Sequence, residues 1–136
     1  MHTPAVPSST ALPLPRVSAP PRRRDLEKAL AELPETLIGE IIFGELVTQP
    51  RPAWKHARAA TWLDRILGDA FDRRTGAPGG WIITYEPELA LGRNVLVPEL
   101  AGWRAEELPE DLDVARIDIA PDWVCEVLSP STKGYD

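Results

Sequence analysis

The sequence predicts an α/β fold in which helices pack on a sheet. Two observations carry that expectation. One long amphipathic segment, residues 52–74, must bury a single stripe on another layer. After it the pattern switches to short runs of β-branched, aromatic and leucine residues punctuated by turn signals. The chain has 136 residues, one Cys and 15 Pro. That length suits one modest domain, and no apolar run approaches the roughly 18–20 residues of a membrane span. The lone Cys125 excludes an intramolecular disulfide framework and a Cys-rich zinc site, so a reducing, cytoplasmic setting is expected.

The elements follow in order. Residues 1–24 hold no acid and four arginines (Arg16, Arg22, Arg23, Arg24), and six prolines fall within the first 21 positions. Proline removes a backbone donor and clashes with a helix, so this stretch is expected to be a disordered tail, with residues 25–136 as the folded domain. Leu26, Ala29, Leu30 and Leu33 recur at helical spacing, and Pro34 closes a predicted helix over 25–33. Residues 40–47 have strand character on both sides of Gly44, the pattern of a tight hairpin or bulge.

In the long segment Ala60, Leu63, Leu67, Ala70 and Phe71 share one face, with Trp62 and Ile66 beside it. Strands are predicted at 81–85, at 89–91 and 95–97 around a Gly92-Arg93-Asn94 turn, and at 122–128. Residues 106–113 form an acidic loop. The five tryptophans (Trp54, Trp62, Trp81, Trp103, Trp123) read as packing residues, with a base-stacking platform as the lesser alternative, and Cys125 reads as a small core residue.

Charge narrows the function classes. The formal net charge is −6, and residues 77–136 hold only four basic groups against twelve acids. A general nucleic-acid coating protein usually carries a basic surface. An anionic polymer approaching the acidic half is repelled unless a metal ion or a basic partner intervenes. Most of the acids belong to loops, where solvent is the default environment.

Two acids depart from that default. In Asp122-Trp-Val-Cys-Glu-Val-Leu128, alternation places Trp123, Cys125 and Val127 on one face and Asp122, Val124, Glu126 and Leu128 on the other. Glu126 is thus flanked by apolar neighbours, and such a carboxylate needs a cation, a metal ion or a boundary with water. Glu99 follows Val95-Leu-Val-Pro98 directly, so a strand delivers it. Two carboxylates on neighbouring strands are what a hard cation such as Mg²⁺ needs, completed by water and a substrate phosphate. Ser129 and Ser131 lack a His/Asp set for acyl chemistry. His56 lacks a second histidine at ligand spacing and reads as a helix-start residue making a local hydrogen bond.

Glu40-Ile-Ile-Phe-Gly-Glu-Leu-Val47, His56, Glu88-Leu-Ala-Leu91, Asn94-Val-Leu-Val-Pro-Glu-Leu-Ala-Gly-Trp103 and Ala120-Pro-Asp-Trp-Val-Cys-Glu-Val-Leu-Ser-Pro-Ser-Thr132 together resemble the Uma-two family of restriction-endonuclease-like proteins, in the PD-(D/E)XK nuclease superfamily. The resemblance runs from about residue 37 to 136, and the last string is its most specific part. It implies a mixed sheet flanked by helices, a Mg²⁺ (or Mn²⁺) cofactor, DNA as substrate and phosphodiester hydrolysis. Carried over by position, Glu99 and Glu126 would be the catalytic and metal-holding acids, with Glu40, Glu45 and His56 as accessory residues.

Two departures stand out. Glu99 occupies a position where the family has Asp, and Leu128 stands where the superfamily's lysine would follow Glu126 by two residues. The family's lysine would come from a later helix, and Lys133 is a poor substitute. A truncated nuclease with impaired activity, prone to self-association through an exposed sheet edge, is therefore the expectation. A catalytically inactive nuclease-fold module for binding or interaction is the alternative.

Overall fold

A computed structural model describes residues 19–72 and 80–128. Most of the expected tail, residues 1–18, lies outside the described residues, as do 73–79 and 129–136 with Lys133, Ser129 and Ser131.

Helix α1 (Arg23–Ala31) begins two residues before the expected start. It lays Leu26 and Leu30 on a β-hairpin made by β1 (Leu37–Ile42) and β2 (Glu45–Pro50). The connection is Phe43-Gly44, with φ of 49° and 85°. Two successive positive φ values are the pattern of a type I′ turn, whose twist matches the flanking strands. Phe43 bears the steric cost and points outward, 91% exposed. Its N–H donates to Asn94 Oδ1 at 2.9 Å, which holds the turn against the next hairpin.

Helix α2 (Trp54–Phe71) is shorter than the periodicity predicts. Asp72 ends it and is buried, its Oδ2 accepting the Ile83 N–H at 3.1 Å. The helix is thereby tied to β3 (Trp81–Tyr85). The predicted hairpin follows as β4 (Leu89–Leu91) and β5 (Asn94–Leu96), and then β6 (Leu100–Arg104) enters the core. A 3-10 turn (Ala105–Glu107) opens the acidic loop. The final strand, β7 (Trp123–Cys125), is shorter than the predicted 122–128.

The α/β class holds, with the strands divided between two antiparallel sheets, β2-β1-β5-β4 and β3-β6-β7. Parallel pairing is confined to single bridges, Asp72–Trp81 and Leu89–Ile117. The two sheets share one core. Leu89 of the first sheet packs with Ala101 and Trp103 of the second and with Leu108, and Ile82, Leu91, Leu96, Leu112, Ile117 and Ile119 close around them. The Trp103 indole N–H donates to the Ile119 carbonyl at 2.9 Å, so the buried ring leaves no unmet donor.

Arg116 clasps the periphery. Its Nη1 reaches Glu27 of α1 at 2.7 Å and its Nε reaches Glu88, just before β4, at 2.8 Å. The tryptophans do not all pack as expected. Trp103 is fully buried and Trp81 and Trp123 are half-buried, but Trp54 and Trp62 on α2 face water. Helix α2 meets its sheet through the side that carries buried Ala60 and half-buried Leu63 and Leu67, and both tryptophans lie outside that stripe. Ile66 and Phe71 are exposed as well.

Candidate active site

The second sheet, β3-β6-β7, carries the two acids that the sequence singles out. Strands β6 and β7 pair with Leu100 opposite Cys125 and Ala101 opposite Val124. Glu99 immediately precedes β6 and Glu126 immediately follows β7, so both lie next to the same end of this strand pair. Glu126 is exposed. Glu99 is largely enclosed, its side chain 14% accessible.

Both oxygens of Glu99 are engaged. Oε2 accepts the Val127 N–H at 2.5 Å, reaching across to the chain that leaves β7. Oε1 is hydrogen-bonded to His56 Nε2 in the first turn of α2. A carboxyl group held at both oxygens has a defined orientation. His56 therefore does not serve a local helix-start role. It reaches 43 residues along the chain to hold Glu99, and is itself only 16% accessible.

Neighbouring groups register the converging negative charge. The Cys125 thiol is pushed up first by burial, then by the charges of Glu126 and Glu99. The Tyr85 phenol is pushed up first by burial and then by Glu86 and Glu99, with Arg51 opposing. Tyr85 ends β3 opposite Leu100, and the Glu86 N–H donates to the Glu99 carbonyl at 2.9 Å. Glu86 adopts a positive φ of 45°, the strained backbone of the turn that leaves the strand. Arg51 Nη1 lies 3.5 Å from Glu86 Oε2 and supplies a nearby cation.

The other predicted residues divide. Glu40 Oε1 accepts the Val97 N–H at 2.8 Å and so fixes the backbone that runs through Pro98 into Glu99. Glu40 thus acts on the path to the pair and not within it. Glu45 stands exposed opposite Ile42, beside the hairpin turn. Tyr85, Glu86, Arg51 and the Val127 N–H were not signalled by the sequence, because strand register alone brings them to Glu99.

Among the described residues no group of three or more His, Cys, Asp or Glu side chains is arranged to hold a metal ion. The donor chemistry of the Glu99–Glu126 pair nevertheless fits a hard, water-rich cation, for which one or two carboxylates suffice when water and phosphate complete the shell. Leu128, two residues after Glu126, is exposed. No helix among the described residues is long and apolar enough to cross a membrane.

Residues 26–136 match the Uma2 family, described as "Putative restriction endonuclease". Among solved structures, a "putative nuclease belonging to DUF820" from Anabaena variabilis superposes with a TM-score of 0.62 at 25% sequence identity. The match covers 78% of this chain and 59% of that one. No curated protein matches the sequence.

Proposed function

The chain belongs to the Uma2 family of nuclease-like proteins, and from that premise we propose that it is a metal-dependent DNA endonuclease whose centre is Glu99 and Glu126. The observation that carries the reading is the enclosed Glu99 carboxylate, hydrogen-bonded to His56 of α2, next to the end of the β6–β7 pair where Glu126 follows β7. Glu99 and Glu126 would hold Mg²⁺ or Mn²⁺. When bound, that ion lowers the pKa of a coordinated water and neutralises charge on the phosphoryl group.

The chain's own residues do the positioning. His56 and the Val127 N–H fix the Glu99 carboxylate, and Glu40 fixes the strand that presents it. Enclosure of Glu99 restricts water on one side, and exposure of Glu126 leaves the pair open to substrate on the other. The concentrated negative charge repels a bare phosphodiester, so approach of DNA is coupled to occupancy by a cation.

Two measurements test this. Isothermal titration with Mn²⁺ is expected to show saturable binding that Glu99→Ala or Glu126→Ala abolishes. Nicking of supercoiled plasmid in Mg²⁺ or Mn²⁺ is expected to fall at least about 100-fold in either variant, the loss expected when charge stabilisation is removed. Intact cleavage by Glu126→Ala would overturn the assignment of that residue.

A second reading is an inactive nuclease-fold module. The observation favouring it is that both Glu99 oxygens are already hydrogen-bonded within the protein. Absence of saturable Mn²⁺ binding by the wild-type chain would select it.

A further inference from the structure

We propose that the outward face of α2 is a binding track for an unpaired nucleic-acid strand, with Trp54 and Trp62 as base-stacking surfaces and Arg58 and Arg65 as phosphate contacts. The proposal rests on the nucleic-acid reading above and adds a separate surface to it. Helix α2 turns Ala60, Leu63, Leu67 and His56 inward, toward the sheet and Glu99. On the opposite side Trp54 is 74% and Trp62 51% exposed. Two indoles left in water forgo roughly the 1.5–3 kcal/mol that burial of a large apolar side chain provides.

These indoles are not scattered. Arg58 lies 5.8 Å above the Trp54 ring centroid and Arg65 lies 5.7 Å above that of Trp62. The two stacked pairs flank a groove of about 320 Å³, floored by Ala57 and Thr61. Eight residues separate the tryptophans, about 12 Å along the helix. The groove lining contains two cations and no acid, on a chain whose net charge is −6.

That chemistry selects the occupant. An apolar protein surface would bury two guanidinium groups without partners, which is costly. A second copy of this acidic chain could pair the arginines through carboxylates, an outcome that sedimentation separates. A nucleic-acid strand supplies both, phosphates for the arginines and bases for the indoles. An unpaired strand fits better than a duplex, whose bases are already stacked on one another.

The test is fluorescence anisotropy of a fluorescein-labelled 12-mer oligodeoxythymidine with the full chain in EDTA, across a salt series. The wild-type chain is expected to bind, with quenching of its tryptophan emission. The Arg58→Ala/Arg65→Ala double variant should lose at least about tenfold in affinity, and its salt slope should become shallower by about 1.4, two phosphate contacts' worth for a single strand. Trp54→Ala and Trp62→Ala should each weaken binding roughly 5- to 100-fold, and Trp62→Phe should recover most of the loss.

Unchanged binding in these variants, or no binding by the wild type, overturns the track. So does an effect of the variants on sedimentation alone, which would assign the face to a second copy. Because α2 presents this face away from His56, the outcomes separate from those of the metal site. A chain that binds oligonucleotide through α2 but takes up no Mn²⁺ keeps the track and refutes the metal pair. Mn²⁺ binding with unaltered oligonucleotide affinity in the variants does the reverse.

Discussion

Three residues show how single side chains set local geometry. Gly102 lies opposite Trp123, and a Cβ added there would meet the indole at 2.4 Å. The Trp ring lies flat on the glycine, so Gly102→Ala must displace either β7 or the ring. The expected cost is about 1–3 kcal/mol, the range for overpacking, read as a lower denaturant midpoint with unchanged m-value. Glu27 illustrates charge. Its hydrogen bond from Arg116 is the largest influence and lowers its pKa below the ordinary 4.5, and Arg23 adds to this against the opposing effect of burial. A carboxyl lowered on folding contributes stability that is complete above its unfolded pKa and is lost as the pH falls through the folded value. Unfolding midpoints measured from pH 6 down to pH 2 should therefore decline below about 4.5. In Glu27→Gln that acid-dependent part should be smaller. His56 illustrates position. Glu99 loses one of its two fixed contacts in His56→Ala, and plasmid nicking should drop roughly tenfold or more, as expected for a carboxylate held loosely.

At the scale of elements, local pattern and observed structure agree where the signal is local. Residues 81–85 form a strand with the predicted bounds, and the 92–94 turn joins β4 to β5. Gly92 there has a φ of 61°, which glycine adopts without penalty. Gly44→Val should cost the first hairpin about 1–2 kcal/mol, because Gly44 sits at a φ of 85° and a β-branched residue does not tolerate that region. A thermal melt of several degrees lower midpoint would report it. Helix α2 was legible as amphipathic, but which tryptophans it buries was not. Periodicity ranks faces by apolarity, and apolarity alone groups Ile66, and even Trp62 on the far side of the helix, with the inward stripe. The sheet contacts the narrower stripe around Ala60, so both residues remain in water.

For the whole molecule, the arrangement of strands has consequences beyond any one element. Among the described residues β7 pairs with β6 alone, and Val124 and Leu128 are exposed beside that edge. An open edge with apolar side chains is a template for pairing with another chain. Sedimentation should show concentration-dependent association that Val124→Lys reduces, since an edge lysine opposes strand addition. The same topology assembles the candidate site. His56 comes from α2, while Glu99 precedes β6, Glu126 follows β7 and Glu86 follows β3, so the four are gathered from four separate parts of the chain.

The sequence by itself determined the α/β class, most of the helices and strands, and the pair of acids worth following, because these depend on short-range periodicity, turn residues and a conspicuous carboxylate in an apolar strand. It also carried the family resemblance, through a motif contiguous in the chain. Only the tertiary structure decided that the strands divide into two antiparallel sheets, that His56 holds Glu99, that Glu40 supports the approach to the site, and that Trp54 and Trp62 are displayed to solvent. Each of these depends on register or packing between segments far apart in the chain. A one-residue change in the register of β7 would swap the faces that Trp123 and Val124 present, and nothing in the local sequence of either strand specifies that alignment.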